Sequence, residues 1–273
     1  MSALINQLKE TISYIRQHCD TVPSVGIVLG SGLGNFANEI KIENEILYEN
    51  IPHFPVSTVK GHQGKLIFGE ISGKKVVAMA GRFHFYEGYS ALQVIYPVRM
   101  MKLLGVETLF ISNAAGGVNN NFRVGDLMII KDHISFFVLN PLTGENEDEL
   151  GPRFPDMSEP YTSSLIARAK TIAERLQIPV HTGVYTGVTG PSFETRSEYQ
   201  LIKLLGGDAV GMSTVQEVIA AVHCGMLVFA ISVITDIGIR EEDNIITHEE
   251  VLQAAKDAEP KLTAIFTGLI REL

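Results

Sequence analysis

Residues 190–195, Gly190-Pro191-Ser192-Phe193-Glu194-Thr195, set an aromatic face beside a lone carboxylate. About a helix further on, Gly211-Met212-Ser213-Thr214-Val215 offers a hydroxyl at the predicted start of a helix, Thr214 to Cys224. The aromatic face suits a flat ring, and the carboxylate accepts that ring's N–H groups. A serine at a helix start serves as N-cap or donates to an anion, and the two uses are compatible. The two segments describe a pocket for a flat, hydrogen-bonding ring next to an anion. A purine nucleoside beside phosphate meets that description.

Four other clusters fit the same chemistry. In Arg82-Phe83-His84-Phe85-Tyr86-Glu87-Gly88, which follows an apolar strand, alternation sends Arg82, His84 and Tyr86 to one side. Arginine grips phosphate with a two-pronged fork. Histidine donates to an anion, and a nearby dianion favours its protonated form. Glu87 stands where it could orient that imidazole; the other reading is a surface salt-bridge cluster. Gly30-Ser31-Gly32-Leu33-Gly34 lets backbone amides form an anion nest, with Ser31 adding a hydroxyl, or is only a tight turn. It is not a dinucleotide fingerprint, because Asn35 stands where the last glycine belongs, and no Gly-Lys-Ser/Thr makes it a P-loop. Asn113-Ala114-Ala115-Gly116-Gly117 is expected to close a strand, with small residues exposing amides such as that of Ala114, or merely packing closely. Thr235-Asp236 ends the last core strand, where a carboxylate is a loop cap or a pocket residue. His62, in Gly61-His62-Gln63-Gly64, is a lone loop histidine; His18, His53, His133, His181 and His223 carry no assignment. No pair of them has metal-ligand spacing, so no metal is expected.

Alternating elements must position these groups. Leu4, Ile5, Leu8, Ile12 and Ile15 predict an opening amphipathic helix, and Val25–Leu29 a buried strand. Lys65–Ile71 and Lys75–Ala80 flank Ser72-Gly73 as a hairpin. A helix is predicted over Ala91–Leu104 and strands over Thr108–Ser112, Leu127–Ile130 and Ile134–Val138. Residues 140–161 read as an ordered excursion. Then follow helix 163–176, strand 183–188, helix 196–205, strand 208–211, helix 214–224 and strand 226–233. A final helix starts near Thr247, with Glu250 completing a capping box. There is no internal repeat. The pattern predicts one domain over residues 1–273, an α/β/α sandwich with a central mixed β-sheet.

A chain of 273 residues, 45% of them hydrophobic, can bury a substantial core. The net charge of −9 argues against nucleic acid as partner but not against a small anion. Cys19 and Cys224 are far apart and read as buried free thiols. Met1–Glu10 has no apolar core of signal-peptide length, and no apolar run spans a bilayer, so a soluble, cytoplasmic protein without membrane partners is expected.

Taken in order, Gly-Ser-Gly-Leu-Gly, Gly-His-Gln-Gly, Arg-Phe-His-Phe-Tyr-Glu-Gly-Tyr, Asn-Ala-Ala-Gly-Gly, Gly-Pro-Ser-Phe-Glu-Thr and Val-Gly-Met-Ser-Thr-Val resemble the trimeric class of purine nucleoside phosphorylases from about residue 22 to the C-terminal helix. The resemblance implies a pentosyltransferase that converts a purine nucleoside and inorganic phosphate to free purine and ribose 1-phosphate, with no cofactor. It implies a phosphate site of Ser31, His62, Arg82, His84, the Ala114 amide and Ser213. Tyr86 and Met212 would contact the ribose, and His248 its 5′-hydroxyl. Phe193 and Val210 would line the base pocket, and Glu194 would accept from purine N1–H. Thr235 and Asp236 would lie near the imidazole edge. The catalytic set would be His84, Glu87, Glu194 and Asp236. Arg153-Phe154-Pro155-Asp156-Met157 resembles the segment that lends a phenylalanine, here Phe154, to a neighbouring subunit of a homotrimer.

Asp236 departs from that family, which usually has asparagine there. Ionised, Asp236 would repel a purine O6 and accept from a 6-amino group; protonated, it could donate to N7. Methylthioadenosine phosphorylases resemble the chain at Thr235-Asp236 but lack Glu194 and His248. The other rivals are a non-catalytic nucleoside binder, which would need no phosphate site, and a hydrolase, for which no water-activating base is evident.

Overall fold

The structure, a computed structural model, describes residues 2–58, 63–238 and 247–273. Nine strands within them form one mixed sheet: β1 (Val25–Val28), β2 (Lys41–Leu47), β3 (Lys65–Ile71), β4 (Lys74–Ala80), β5 (Thr108–Gly117), β6 (Leu127–Ile134), β7 (Val180–Gly187), β8 (Ala209–Gly211) and β9 (Leu227–Ile237). Their spatial order is β2-β3-β4-β1-β5-β8-β7-β6-β9. Strand β1 is parallel to β4 and β5, and β5 is parallel to β9. The last strand pairs with both β6 and β5, so β5, β8, β7, β6 and β9 close on one another. This is the expected α/β fold, with a closure that sequence periodicity does not reveal.

Two groups of helices cover the sheet. Helix α2 (Ala91–Leu104) packs on α1 (Ala3–His18) and on α5 (Val215–His223), while α3 (Ser163–Arg175) packs on α6 (His248–Arg271). Helix α4 (Arg196–Leu204) sits over a small separate cluster of Val118, Tyr199, Ile202 and Val210. The strands under both helix groups are buried on both faces, which is why β1 reads as a continuous apolar run. Strand β2 is an exposed edge whose Glu45 accepts from Lys65 Nζ at 2.6 Å; its charged residues hide it from a hydropathy reading. Cys19 and Cys224 are both buried and free.

Three expectations are corrected. Residues 113–117 are strand, not a closing loop: Asn113–Gly117 pair with β9, and Gly116 and Gly117 also pair with β8. Their small side chains admit a neighbour on either side, the feature that makes them look like loop. No second strand runs from Ile134 to Val138, because β6 ends at Ile134 and Val138 N turns back to Ser135 O at 3.2 Å. Ser213 does not cap α5. The N-cap is Thr214, held at φ 72° with no capping hydrogen bond.

The strand ends needed for a site lie together. Strands β1, β4, β5 and β9 run in one direction, so their carboxyl ends share one edge. Pairing of β5 with β9 slips between Ala115↔Ile234 and Gly116↔Asp236, leaving Thr235 as the extra residue of a bulge. A bulge re-aims side chains, and the adjacent Thr235 and Asp236 both line the cavity at this edge.

Candidate active site

That cavity holds about 360 Å³, within the range of small-ligand sites. Part of its lining has the chemistry to hold an anion. Arg82, which follows β4, is almost fully buried, and its Nη1 donates to Ser213 Oγ at 2.8 Å. Its Nε lies 3.2 Å from Glu217 Oε1, and Nη2 has no hydrogen-bond partner among the described residues. A buried guanidinium with an unspent donor is suited to an anion. The unusual Thr214 backbone, a genuine outlier for a β-branched residue, turns Ser213 toward Arg82. Asn113 Nδ2 donates to Thr214 Oγ1 at 2.8 Å and Ser213 N to Tyr185 Oη at 3.4 Å, fixing this corner. Ser31 and Ala114 line the same cavity. Gly32, at φ 76°, brings the Ser31 turn so close to α6 that a Cβ there would lie 2.7 Å from that of Ala255. Buried Glu259 ties α6 to the same loop by accepting from Phe36 N at 3.0 Å and Asn35 Nδ2 at 2.8 Å.

His84 is the residue before a short 3₁₀ turn, Phe85–Glu87. Glu87 Oε1 lies 2.9 Å from its Nδ1 and accepts from its backbone N at 2.8 Å. Burial lowers the His84 pKa, against the Glu87 hydrogen bond, and the Arg82 charge adds to the lowering. Burial also pushes the Glu87 carboxyl up, but hydrogen bonds from His84 and Thr58 together outweigh it and bring it down to about 2. Glu87 does not itself line the cavity. The Tyr86 ring stacks on the His84 ring at 4.6 Å, and burial raises its phenol to about 12.

Two carboxylates also line the cavity. Glu194 immediately precedes Thr195, the N-cap of α4, whose hydroxyl accepts from Glu198 N while Glu198 accepts from Thr195 N. Glu194 is half-buried; burial raises its pKa, and nearby Asp236 and Glu198 raise it further. Asp236, 6% exposed, accepts from Thr235 Oγ1 at 3.1 Å and from Tyr199 Oη at 3.4 Å. Phe193, Val210, Met212 and His248 line the same cavity.

Two predicted residues stand apart. Phe154 is 87% exposed and lines a separate surface hollow with His133 and Phe136. His62 lies outside the described residues, as does most of the loop after Asp236. Tyr199 and Glu217 are functional neighbours that sequence reading misses. The one available signal was an aromatic residue on the helix that follows the Gly-Pro-Ser-Phe-Glu-Thr segment.

The profile described as the Phosphorylase superfamily matches residues 24–271. The chain is 50% identical to purine nucleoside phosphorylase 1 of Bacillus subtilis, over 98% of this chain and 97% of that one. A crystal structure of Schistosoma mansoni purine nucleoside phosphorylase with adenosine superposes with a TM-score of 0.94 at 43% identity, covering 100% of this chain and 99% of that one. A crystal structure of Schistosoma mansoni purine nucleoside phosphorylase with inosine gives a TM-score of 0.94 at 42% identity, covering 100% of this chain and 98% of that one.

Proposed function

The chain belongs to the phosphorylase superfamily, and from that premise we propose that it is a purine nucleoside phosphorylase, a pentosyltransferase that moves ribose or deoxyribose from a purine to phosphate. The observation that carries this reading is one cavity lined both by a buried, incompletely bonded arginine and by two carboxylates.

Inorganic phosphate is the co-substrate. Arg82, Ser31, His84, Ser213 and the Ala114 amide hold it, with His62 expected to join them, while Glu87 keeps the His84 ring in place. Tyr86 and Met212 flank the ribose, and His248 meets its 5′-hydroxyl. Phe193 and Val210 pack on the base, Glu194 accepts from N1–H, and Thr235 and Asp236 face the imidazole edge. A phosphate oxygen bonds to C1′ as the C1′–N9 bond breaks, and the bonding electron pair stays with the purine. Positive charge builds on the ribose next to the phosphate, and negative charge builds on the base. Contacts accelerate the step only where they strengthen with that charge, and losing one well-placed donor costs about 3 kcal/mol of barrier.

We assign the whole chain to one catalytic domain and the active form to a homotrimer in which Phe154 reaches a neighbour's site. The compartment proposed is the cytoplasm, in keeping with the acidic, two-cysteine composition. The test is release of free purine from inosine, guanosine, adenosine and 5′-methylthioadenosine, with and without phosphate. Phosphate-dependent release from the first two supports the reading. Turnover in phosphate-free buffer overturns it in favour of hydrolysis, and a preference for the methylthio substrate overturns it in favour of that sister activity.

A further inference from the structure

Tyr199 stands beside the two carboxylates of the cavity, Asp236 and Glu194. It is 3% exposed, it lines the cavity together with Glu194, and its hydroxyl donates to Asp236 Oδ2 at 3.4 Å, with the Glu194 carboxylate near enough to act on it. Its ring has no freedom to leave. A Cβ on Gly238 would come within 2.0 Å of Tyr199 Cε1, and one on Gly116 would lie 3.2 Å from its Oη and 3.0 Å from Asp236 Oδ2. Val118, Ile202 and Val210 pack around it. A phenol has one proton to donate, and here two acceptors compete for it.

We propose that Tyr199 is a specificity-determining, positioning residue whose single hydroxyl proton turns to Asp236 or to Glu194 according to the base, so that one pocket reads both 6-oxopurines and 6-aminopurines. The inference rests on the phosphorylase reading, which puts the base between these groups. A 6-oxopurine gives its N1–H to Glu194 and brings O6 toward Asp236, so the hydroxyl turns to Asp236 and quenches the charge facing O6. A 6-aminopurine gives an amino N–H to Asp236 and brings the N1 lone pair toward Glu194, so the hydroxyl turns to Glu194. Rotation about the phenolic C–O bond carries the proton from one carboxylate's side to the other's. The acceptors differ in access to water: Asp236 is buried and Glu194 half-buried. Water can replace the lost donor at Glu194 better than at Asp236.

The experiment is kcat/KM for adenosine and inosine in the wild type, Tyr199→Phe, Asp236→Asn and the double variant, with Tm recorded for each. Removing the hydroxyl takes a donor from the buried carboxylate when inosine is bound, and from the hydrated one when adenosine is bound. The adenosine-to-inosine ratio is expected to rise about tenfold in Tyr199→Phe, the scale of one hydrogen bond to a charged group. In the Asp236→Asn background, where the amide supplies its own donor, adding Tyr199→Phe is expected to leave the ratio unchanged. Equal losses for both nucleosides, or the same ratio change in both backgrounds, would mean that Tyr199 only packs, and would overturn the proposal. Should Tyr199→Phe fail to fold, the wild type still decides: release of hypoxanthine without adenine overturns dual reading and leaves the phosphorylase reading intact. No phosphate-dependent release from either nucleoside overturns both.

Discussion

Glu217 holds Arg82 in the wall of the cavity: its Oε1 lies 3.2 Å from Arg82 Nε, and both side chains are almost completely buried. Breaking a buried pair by removing one partner costs about 3–5 kcal/mol, because the other charge stays buried and uncompensated. In Glu217→Gln a bound phosphate would supply the missing negative charge. The variant is therefore expected to lose stability in phosphate-free buffer and to gain more from added phosphate than the wild type does. Thermal unfolding with and without phosphate reads this directly. An equal Tm loss under both conditions would show that Glu217 packs against Arg82 without balancing it.

The resting His84 imidazole is held below its ordinary pKa by burial, against the pull of Glu87. A dianion placed beside it favours the charged ring. Anion binding near neutral pH should therefore take up a proton, and anion affinity should fall as pH rises. Sulfate, which stays a dianion at neutral pH, separates this uptake from the titration of phosphate itself. Calorimetry of sulfate binding in buffers of different ionisation enthalpy is expected to show uptake in the wild type and none in His84→Gln. No uptake in the wild type would mean that a neutral His84 N–H serves the anion.

Glu87 is shifted the other way, to about 2, below the ordinary glutamate value of about 4.3. A carboxyl depressed by folding stabilises the fold above its unfolded pKa and loses that contribution as pH falls toward its folded one. The wild type's stability advantage over Glu87→Gln is thus expected to be full above about pH 4.3 and to vanish toward about pH 2. Chemical denaturation across that window measures it; a difference independent of pH would assign Glu87 a packing role alone.

How far these groups are legible in the sequence depends on where their partners lie. Arg82, His84 and Asp236 are polar residues at or just after apolar runs, a placement that points to a shared edge, while the Thr214 turn and the Thr235 bulge that set the final aim of Ser213 and Asp236 are not legible. Glu217 reads as an ordinary acidic residue in a first helical turn. Its pairing with a guanidinium far away in sequence is created only by the fold. Tyr199 stands three residues before Ile202 and reads as core, which it also is. The bulge at Thr235 leaves no mark in composition, and the closing of β9 onto β5 needs a register that hydropathy cannot supply.

Glu194 is held above the ordinary carboxylate pKa by burial, with Asp236 and Glu198 adding to it and the Tyr199 hydrogen bond opposing. The ionised form accepts more strongly from the N1–H of a 6-oxopurine, whereas only the protonated form can donate to N1 of a 6-aminopurine. The neutral form takes over on acidification earlier than for an ordinary glutamate, so the adenosine-to-inosine ratio of kcat/KM is expected to rise as pH falls toward the acid side. Glu194→Ala should lower inosine and guanosine kcat/KM roughly 10- to 100-fold, the range for a hydrogen bond to a charged group, with Tm preserved because the side chain is half-buried. Wild-type-like kinetics on both 6-oxopurine nucleosides would remove Glu194 from base reading.

Phe154 stands 87% exposed with the Arg153 guanidinium 5.6 Å from its ring, and Phe136 beside it is 86% exposed. Two large aromatics in one patch signal an interaction surface more than isolated exposed side chains do. Phe154 buries little within its own subunit, so Phe154→Ala is expected to leave the Tm of the isolated fold unchanged. Covering a phenylalanine is worth about 1.5–3 kcal/mol, so nucleoside KM should rise roughly 10- to 100-fold if the ring closes a neighbour's pocket. Complementation separates this from a local effect. On the shared-site proposal, mixed oligomers of Phe154→Ala and Glu194→Ala subunits would contain sites with an intact Glu194 and a phenylalanine lent by the other subunit. Refolding the two weak variants together should then recover activity that neither has alone. Failure to recover, or fully active monomers at assay concentration, would confine the catalytic site to one chain.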